Sequence, residues 1–363
     1  MHSRQSALLR PLLAVVAVGV ALGVPELVLR ATGFRYESGV EYRLPQGDPS
    51  FVFFYPDPEL LFKFDPAHPL VNSFGFPGEE VTLPKPDGVY RILFLGDSCT
   101  QQGYPDRVAE QLNSARSKDD PHYGAVTLAI AGYSSFQGQV IARKLAPQME
   151  GDLALVYFGW NDHWLAHGAP DSQRIAVEAD LGSLQRFVHF AHTQSRLFQF
   201  LVRLRVSAGR QNDTVSSQLR VPIAEYRENL EDIERRLRSL GLPVVFLTAP
   251  TAHYQFGAPA QLVSEEFAAD TKSVPRLHRS YNEVVREVAR ETGATLLDLE
   301  REFEALEPGE LEEIFSEDGI HFTEPGLDRL GRRIASFLQR EGLVGSASGS
   351  PAASATSSMP RSD

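Results

Sequence analysis

The chain of 363 residues is long enough for two domains, or for one α/β domain with additions. Its 42% apolar and 23% charged residues exclude a wholly disordered chain; its net charge of −12, with no basic block, argues against a nucleic-acid partner. The one cysteine, Cys99, excludes an internal disulfide, a cysteine-based zinc site and a cysteine-held iron–sulfur cluster.

The first element is an uncharged apolar run, residues 11–25, set between Arg10 and Glu26. It falls short of the about 20 residues of an untilted membrane span and matches the upper end of a signal-peptide apolar region. Read on to Leu29 it becomes a longer span with Glu26 at an interface. Residues 1–35 are therefore read as a signal-anchor or a signal peptide, with Ala21-Leu22-Gly23 as a weak cleavage site; a buried core helix is the other reading. Arg4 and Arg10 stay on the cytoplasmic side in the first two readings. Those readings put the rest of the chain outside, on a single N-terminal anchor in the cell membrane, or secreted if the segment is cleaved. No second run of this kind exists, which excludes a multi-span transporter. Residues 36–89 read as an N-terminal extension.

From Tyr90 onward, short apolar runs alternate with helical patterns. Residues 90–96 and 153–159 each end in glycine and read as strands buried on both faces. Residues 126–130, 243–248 and 295–299 read as further strands. Ile223, Tyr226, Leu230, Ile233, Leu237 and Leu240 mark one face of a helix that Gly241 stops. Leu277, Tyr281, Val284 and Val288 mark a second. Leu327, Leu330, Ile334 and Phe337 mark the last, with Thr323 as its cap and Pro325 in its first turn. This alternation predicts an α/β fold: a central parallel sheet with helices on both faces, and chemistry at the carboxyl ends of its strands.

Polar residues stand at three of those ends. The first strand ends Gly96-Asp97-Ser98, which holds a serine hydroxyl at the rim of the sheet; serine needs a base to become a nucleophile. The second leads to Ala131-Gly132-Tyr133, where a glycine lets a backbone N–H approach a ligand. The third ends Gly159-Trp160-Asn161-Asp162, where an amide can donate into the same rim. The Ser98 N–H, the Gly132 N–H and the Asn161 side chain together make a candidate oxyanion hole. Before the last helix comes Asp318-Gly319-Ile320-His321: an aspartate three residues before a histidine can orient the imidazole, and the histidine can take the serine proton. Each alone reads equally as a cap, a turn or a solvated loop. Together, in this order, they form a constellation.

With these blocks the sequence resembles the SGNH/GDSL hydrolase superfamily, over residues 90–338. Gly96-Asp97-Ser98 matches its first block, Gly132 the glycine of its second, Gly159-Trp160-Asn161-Asp162 its third, and Asp318–His321 its DxxH block. Val71-Asn72-Ser73-Phe74-Gly75-Phe76-Pro77-Gly78 looks like the lead-in of membrane-anchored bacterial members. The resemblance implies a flavodoxin-like three-layer sandwich. It implies Ser98 as nucleophile, His321 as base and then acid, Asp318 as its orienting partner, and Ser98, Gly132 and Asn161 as the oxyanion hole. The pattern departs from the family at three places: Gln101-Gln102-Gly103 runs straight into Tyr104-Pro105, Thr127 stands where many members have Asn, and Pro77 replaces a common Arg.

The implied organisation is a hydrolase domain over residues 90–342, with an insertion at 163–221 and a Ser/Ala/Gly/Pro-rich disordered tail at 343–363. The insertion, with the aromatic stretch 184–190, Phe198, Phe200, Arg203 and Arg205, reads as a lid, a membrane-facing surface, or plain packing of an extra helix pair. His163 and His167 have the spacing of metal ligands but lack a third, and read as polar surface or lid. Cys99 reads as a small packing residue. Trp160 and Trp164 read as either substrate-binding or packing side chains. The function expected is an exported serine esterase acting on small-molecule or glycan esters, carbohydrate O-acetyl groups among them, with no cofactor and no metal. An O-acyltransferase with the same triad is the alternative, and a non-catalytic envelope binding protein the rival.

Overall fold

A computed structural model of the chain describes residues 2–34, 54–57, 59–64, 66, 68–167, 169–173, 191, 195–209 and 215–345. The aromatic stretch 184–190 and the tail beyond 345 lie outside the described residues. The apolar run falls within helix α1 (His2–Ala31). Side chains of α1 are described from Val16 onward, Val18 excepted, and among the described residues no helix is long and apolar enough to cross a membrane.

Strands β1 (Phe54–Asp57) and β2 (Leu61–Phe64) pair antiparallel in the N-terminal extension. Then follow β3 (Val89–Gly96), the one-turn α2 (Ser98–Gln101), α3 (Tyr104–Ala115), β4 (His122–Ala129), α4 (Ser135–Lys144) and β5 (Leu153–Tyr157). Strand β6 (Leu165–His167), α5 (Arg196–Gly209) and β7 (Val215–Leu219) belong to the insertion, and β6 pairs antiparallel with β7. The second half holds α6 (Ile223–Ser239), β8 (Val244–Leu247), the single turns α7 (His253–Phe256) and α8 (Gln261–Ser264), α9 (Val274–Thr292), β9 (Thr295–Leu297), α10 (Leu299–Glu304), α11 (Pro308–Ile314) and α12 (Glu324–Arg340).

The central sheet runs β4-β3-β5-β8-β9, with every pair parallel. In chain order that is 2-1-3-4-5, the flavodoxin-like order, and the chain reverses direction across the sheet at β3. The alternation of β3 builds the layers. Ile92 and Phe94 face a core shared with α3, α11 and α12; Leu93 and Leu95 face one shared with α4, α6 and α9. Both faces are sealed, so β5 reads as an unbroken apolar run, and β3 does so from Ile92 onward, after the buried Arg91. Edge strand β4 is covered less completely and starts four residues before its apolar stretch, its His122 in register with Val89.

One boundary, the start of the tail at residue 343, differs from the sequence reading. The extension packs into the same core through Leu60, Phe64, Val71 and Phe76. Asn72 shapes its turn, with Oδ1 accepting from the N–H groups of Phe74 and Phe76, both at 3.1 Å. At the other end, Leu343–Gly345 are part of the fold: Val344 is buried, Tyr90 donates to the Leu343 carbonyl at 2.8 Å, and the Gly345 N–H donates to the Tyr123 hydroxyl at 2.9 Å. Leu343–Gly345 follow the last helix and meet the tyrosines of β3 and β4, partners more than 200 positions away that no local pattern signals.

Candidate active site

Three consecutive strands of the sheet, β4, β3 and β5, end in the loops that carry Gly132, Ser98 and Asn161. Neighbouring strands lie about 4.8 Å apart, so topology alone collects the three residues at one rim. Ser98 opens α2, and a first-turn N–H has no carbonyl to bond within its own helix. Asp97 caps that turn: its Oδ1 accepts from the Cys99 N–H at 2.9 Å. Complete burial pushes the Asp97 carboxyl up to about 7, against the hydrogen bond from Cys99 and the nearby His321, which favour the charged form.

Gly132 adopts φ +88°, a conformation open to glycine and strained for other residues, which turns the chain after β4. The next residue, Tyr133, anchors this turn to the extension by donating to the Phe62 carbonyl at 2.8 Å. Asn161 Nδ2 donates to the Tyr133 carbonyl at 2.9 Å, which bridges the loops after β4 and β5 and leaves the second amide hydrogen for a ligand. The neighbouring Asp162 is structural: fully buried, it accepts from the Ser135 N–H at 2.9 Å and ties the start of α4 to the Asn161 turn.

The loop between α11 and α12 brings in the last pair. His321 Nε2 lies 2.8 Å from Ser98 Oγ, and His321 Nδ1 lies 2.5 Å from Asp318 Oδ2. Asp318 Oδ1 also accepts from the N–H groups of Ile320 and His321, both at 2.9 Å. Burial works against the Asp318 charge, yet these hydrogen bonds outweigh it and bring its pKa down to about 2. Burial alone would lower the His321 pKa; the hydrogen bond and charge of Asp318 reverse that and raise it above the ordinary imidazole value. With Asp318 charged, Nδ1 carries a proton and Nε2 is left as the acceptor for the Ser98 hydroxyl. The arrangement can therefore take a proton from serine.

Two glutamines that the sequence reading left without a role hold this geometry. Gln102, just past α2, exchanges hydrogen bonds with Phe322: its Nε2 donates to the Phe322 carbonyl at 3.1 Å and its Oε1 accepts from the Phe322 N–H at 3.0 Å. The serine turn and the histidine loop are thus locked together. Gln101 Oε1 accepts from the Ala131 N–H at 2.5 Å and fixes the loop after β4. Their partners stand far off in sequence, so no local pattern announces them.

The remaining candidates sort by burial. Cys99 is fully buried, and burial, with Asp97 and Asp318 close by, pushes its thiol well up, which suits a packing residue. His163 is not surface or lid: it is 2% exposed, with Nε2 at 3.0 Å from His278 Nδ1. Its partner His278 lies on α9, which a four-residue spacing cannot foresee. The His167 side chain lies outside the described residues. Among the described residues no group of three His, Cys, Asp or Glu is placed to hold a metal ion. Trp160 and Trp164 are both buried and pack; Trp160 stacks on His278 with ring centroids 3.7 Å apart.

Among solved structures, the chain is similar to a lipase/acylhydrolase from Enterococcus faecalis, at 16% identity over 71% of this chain and 98% of that one, with a TM-score of 0.44. It is also similar to an acetylxylan esterase from Geobacillus stearothermophilus, at 16% identity over 70% and 94% of the two chains and a TM-score of 0.42. No curated protein sequence matches it. The model of the GDSL-like lipase/acylhydrolase family matches residues 94–329, which span β3 to α12 and take in every block of the site. The chain belongs to the GDSL-like lipase/acylhydrolase family and is, with it, an ester-hydrolysing serine hydrolase.

Proposed function

We propose that the chain is an exported, membrane-anchored esterase that removes short acyl groups through an acyl-serine intermediate. The observation that carries the mechanism is the run of contacts Ser98 Oγ–His321 Nε2–Asp318, at 2.8 and 2.5 Å. Ser98 Oγ attacks the ester carbonyl as its proton passes to His321 Nε2. The carbonyl oxygen gains charge and is met by the N–H groups of Ser98 and Gly132 and by the Asn161 amide. His321 returns the proton to the departing alkoxide, which leaves as the alcohol. Water then gives a proton to His321 and attacks the acyl-serine; the second tetrahedral intermediate releases the acid as Ser98 recovers its proton. Asp318 stays charged throughout and stabilises the imidazolium.

One feature supports an accessible ester such as a carbohydrate O-acetyl: the His321 and Asp318 side chains are about a third exposed.

Anchoring is supported by α1. Val16, Val20, Leu22, Val24, Leu27 and Val28 are each more than half exposed. At about 1.5 Å per residue, the 30 residues of α1 have the length of a bilayer, although no described helix joins that length to enough apolar character to cross one. Glu26, the charge in its way, is satisfied by α5: it accepts from Ser195 Oγ at 2.9 Å and from the N–H groups of Arg196 at 3.1 Å and Leu197 at 2.8 Å. Helix α5 adds exposed Leu201 and Leu204 beside it. The full chain is expected in the membrane fraction, and a chain starting at Arg35 in the soluble one; equal partition of both would refute the anchor.

The enzymatic reading is tested by labelling the protein with a fluorophosphonate and measuring release from p-nitrophenyl acetate, beside a Ser98→Ala variant. Labelling and turnover lost only in the variant is the expected result. A folded wild type that takes no label would instead be a binding protein. Labelling with turnover only when a sugar hydroxyl is supplied would make it an acyltransferase.

A further inference from the structure

The Asp318–His321 loop is held from behind by residues 251–253, a segment with no part in the steps above. Thr251 Oγ donates to the Gly319 carbonyl at 2.9 Å, and the Ala252 N–H donates to the same oxygen at 3.0 Å. His253 Nε2 lies 2.6 Å from the Asp318 carbonyl. A carbonyl can only accept, so Nε2 carries the proton and donates. Burial keeps the His253 pKa below the ordinary value, against the Asp318 contact, so the ring does this work as a neutral imidazole. Gly319 lies directly on the ring: at φ +70°, a Cβ there would stand 2.6 Å from His253 Cδ2.

The His253 ring also meets Trp160 in a T-shaped contact, with centroids 5.5 Å apart and planes at 79°. Trp160 is the residue between Gly159 and Asn161. One buried cluster therefore touches both the loop that carries Asp318 and the turn that carries Asn161. A core that served packing alone would use apolar side chains here. Instead, among the described residues, His253 Nδ1 and Trp160 Nε1 are both buried without a protein hydrogen-bond partner, polar atoms that space-filling does not require.

We propose that His253 is a positioning residue for the reaction: through the Asp318 carbonyl it fixes the angle at which Asp318 meets His321, and through Trp160 it keeps that pair aligned with Asn161. This rests on the reading of Ser98, His321 and Asp318 given above, and the experiment separates the two. Wild type, Ser98→Ala, His253→Ala, His253→Gln and Thr251→Val are assayed on p-nitrophenyl acetate for kcat, KM and the pH dependence of kcat/KM. Thermal stability and the downfield proton resonance of the His321–Asp318 hydrogen bond are measured alongside.

An active wild type with an inactive Ser98→Ala secures the premise. His253→Ala is then expected to lose about 10- to 100-fold in kcat, the scale of a misplaced catalytic group, with KM within about twofold. Its acid limb moves toward the ordinary imidazole pKa and the downfield resonance weakens. His253→Gln, whose amide N–H can still reach the carbonyl, recovers part of the loss. If His253→Ala does not fold, Thr251→Val, which removes a hydrogen bond to Gly319 and the one accepted from the His253 N–H at 3.0 Å, is expected to shift kcat and the acid limb in the same direction. Unchanged kcat, acid limb and resonance in a folded His253 or Thr251 variant, with only stability reduced, would overturn the proposal while the serine mechanism stands. An inactive, folded wild type would overturn the premise itself.

Discussion

Ser98 and His321 face each other across 2.8 Å, but they are held there by different means. The serine turn is set largely by its neighbours: Asp97 caps it from one position away, and β3 delivers it to the rim of the sheet. The histidine loop has local bonds within Asp318–His321, but its place in space comes from Gln102, 220 positions away, and from Thr251 and His253, 68 and 65 positions away. The serine side is a local structure, and the histidine side is a tertiary one. Damage to the sheet should therefore disturb the serine. Damage to side chains far off in sequence should disturb the base and leave the serine turn intact.

The strongest way to break this comparison is to remove a reacting group. Ser98→Ala or His321→Ala should lower kcat on p-nitrophenyl acetate by about 10⁴-fold or more, and by similar amounts, because the two act as a unit. A loss below about tenfold in either would contradict their roles. Asn161→Ala should cost about 10²- to 10³-fold in kcat, the usual toll of one oxyanion donor. Part of that loss would come through Tyr133, whose carbonyl gives up its partner.

Gln102→Ala tests the tertiary side. It should lower kcat by about tenfold with little change in KM, since it frees the base without touching the substrate. Fluorophosphonate labelling of Ser98 should slow in parallel, because labelling also needs His321 to take the serine proton.

Asp97→Asn sharpens the local side. Asn keeps an oxygen for the Cys99 N–H, so the cap survives. The folded wild type holds the Asp97 proton up to about pH 7, while the unfolded chain releases it near 3.8. The native state then binds more protons, so this group costs stability as pH rises from about 4 to about 7. The Tm advantage of Asp97→Asn should grow across that window and level off above it. The Asp97 charge also helps raise the His321 pKa, so the variant's acid limb of kcat/KM should move to lower pH. In wild type that limb, where His321 must lose its proton to act as base, should lie above the ordinary imidazole value. The smallest effect belongs to Cys99→Ala, which should leave kcat within about twofold because a buried, protonated thiol takes no part in the chemistry.

The same contrast explains what the sequence could reveal. Strands β5 and, from Ile92 onward, β3 are sealed on both faces, so their residues are apolar and their ends are easy to find. Three of the four polar blocks stand just past strand ends, and the fourth lies in the loop before the last helix. Edge strand β4 has its apolar stretch in its second half, so the pattern marks 126–130 where the strand begins at His122. The pairing of β6 with β7 gives no comparable signal, because the sequence between them separates two short, mixed strands. His163 looked like surface because its partner His278 is 115 residues on. Gln102 and His253 have roles that exist only once the chain is folded. Periodicity reports burial, and motifs report chemistry, but neither reports who holds the chemistry in place.

The central claim is that Ser98 carries the acyl group between attack and release. The most direct measurement is to mix the protein with p-nitrophenyl acetate, quench it in acid within the first turnovers and map the modified peptide by mass. An acetyl group on Ser98, absent when His321 is replaced by alanine, is the predicted result. Acetyl on Cys99 or elsewhere, or steady hydrolysis with no acetylated peptide and no change in rate for Ser98→Ala, would contradict it.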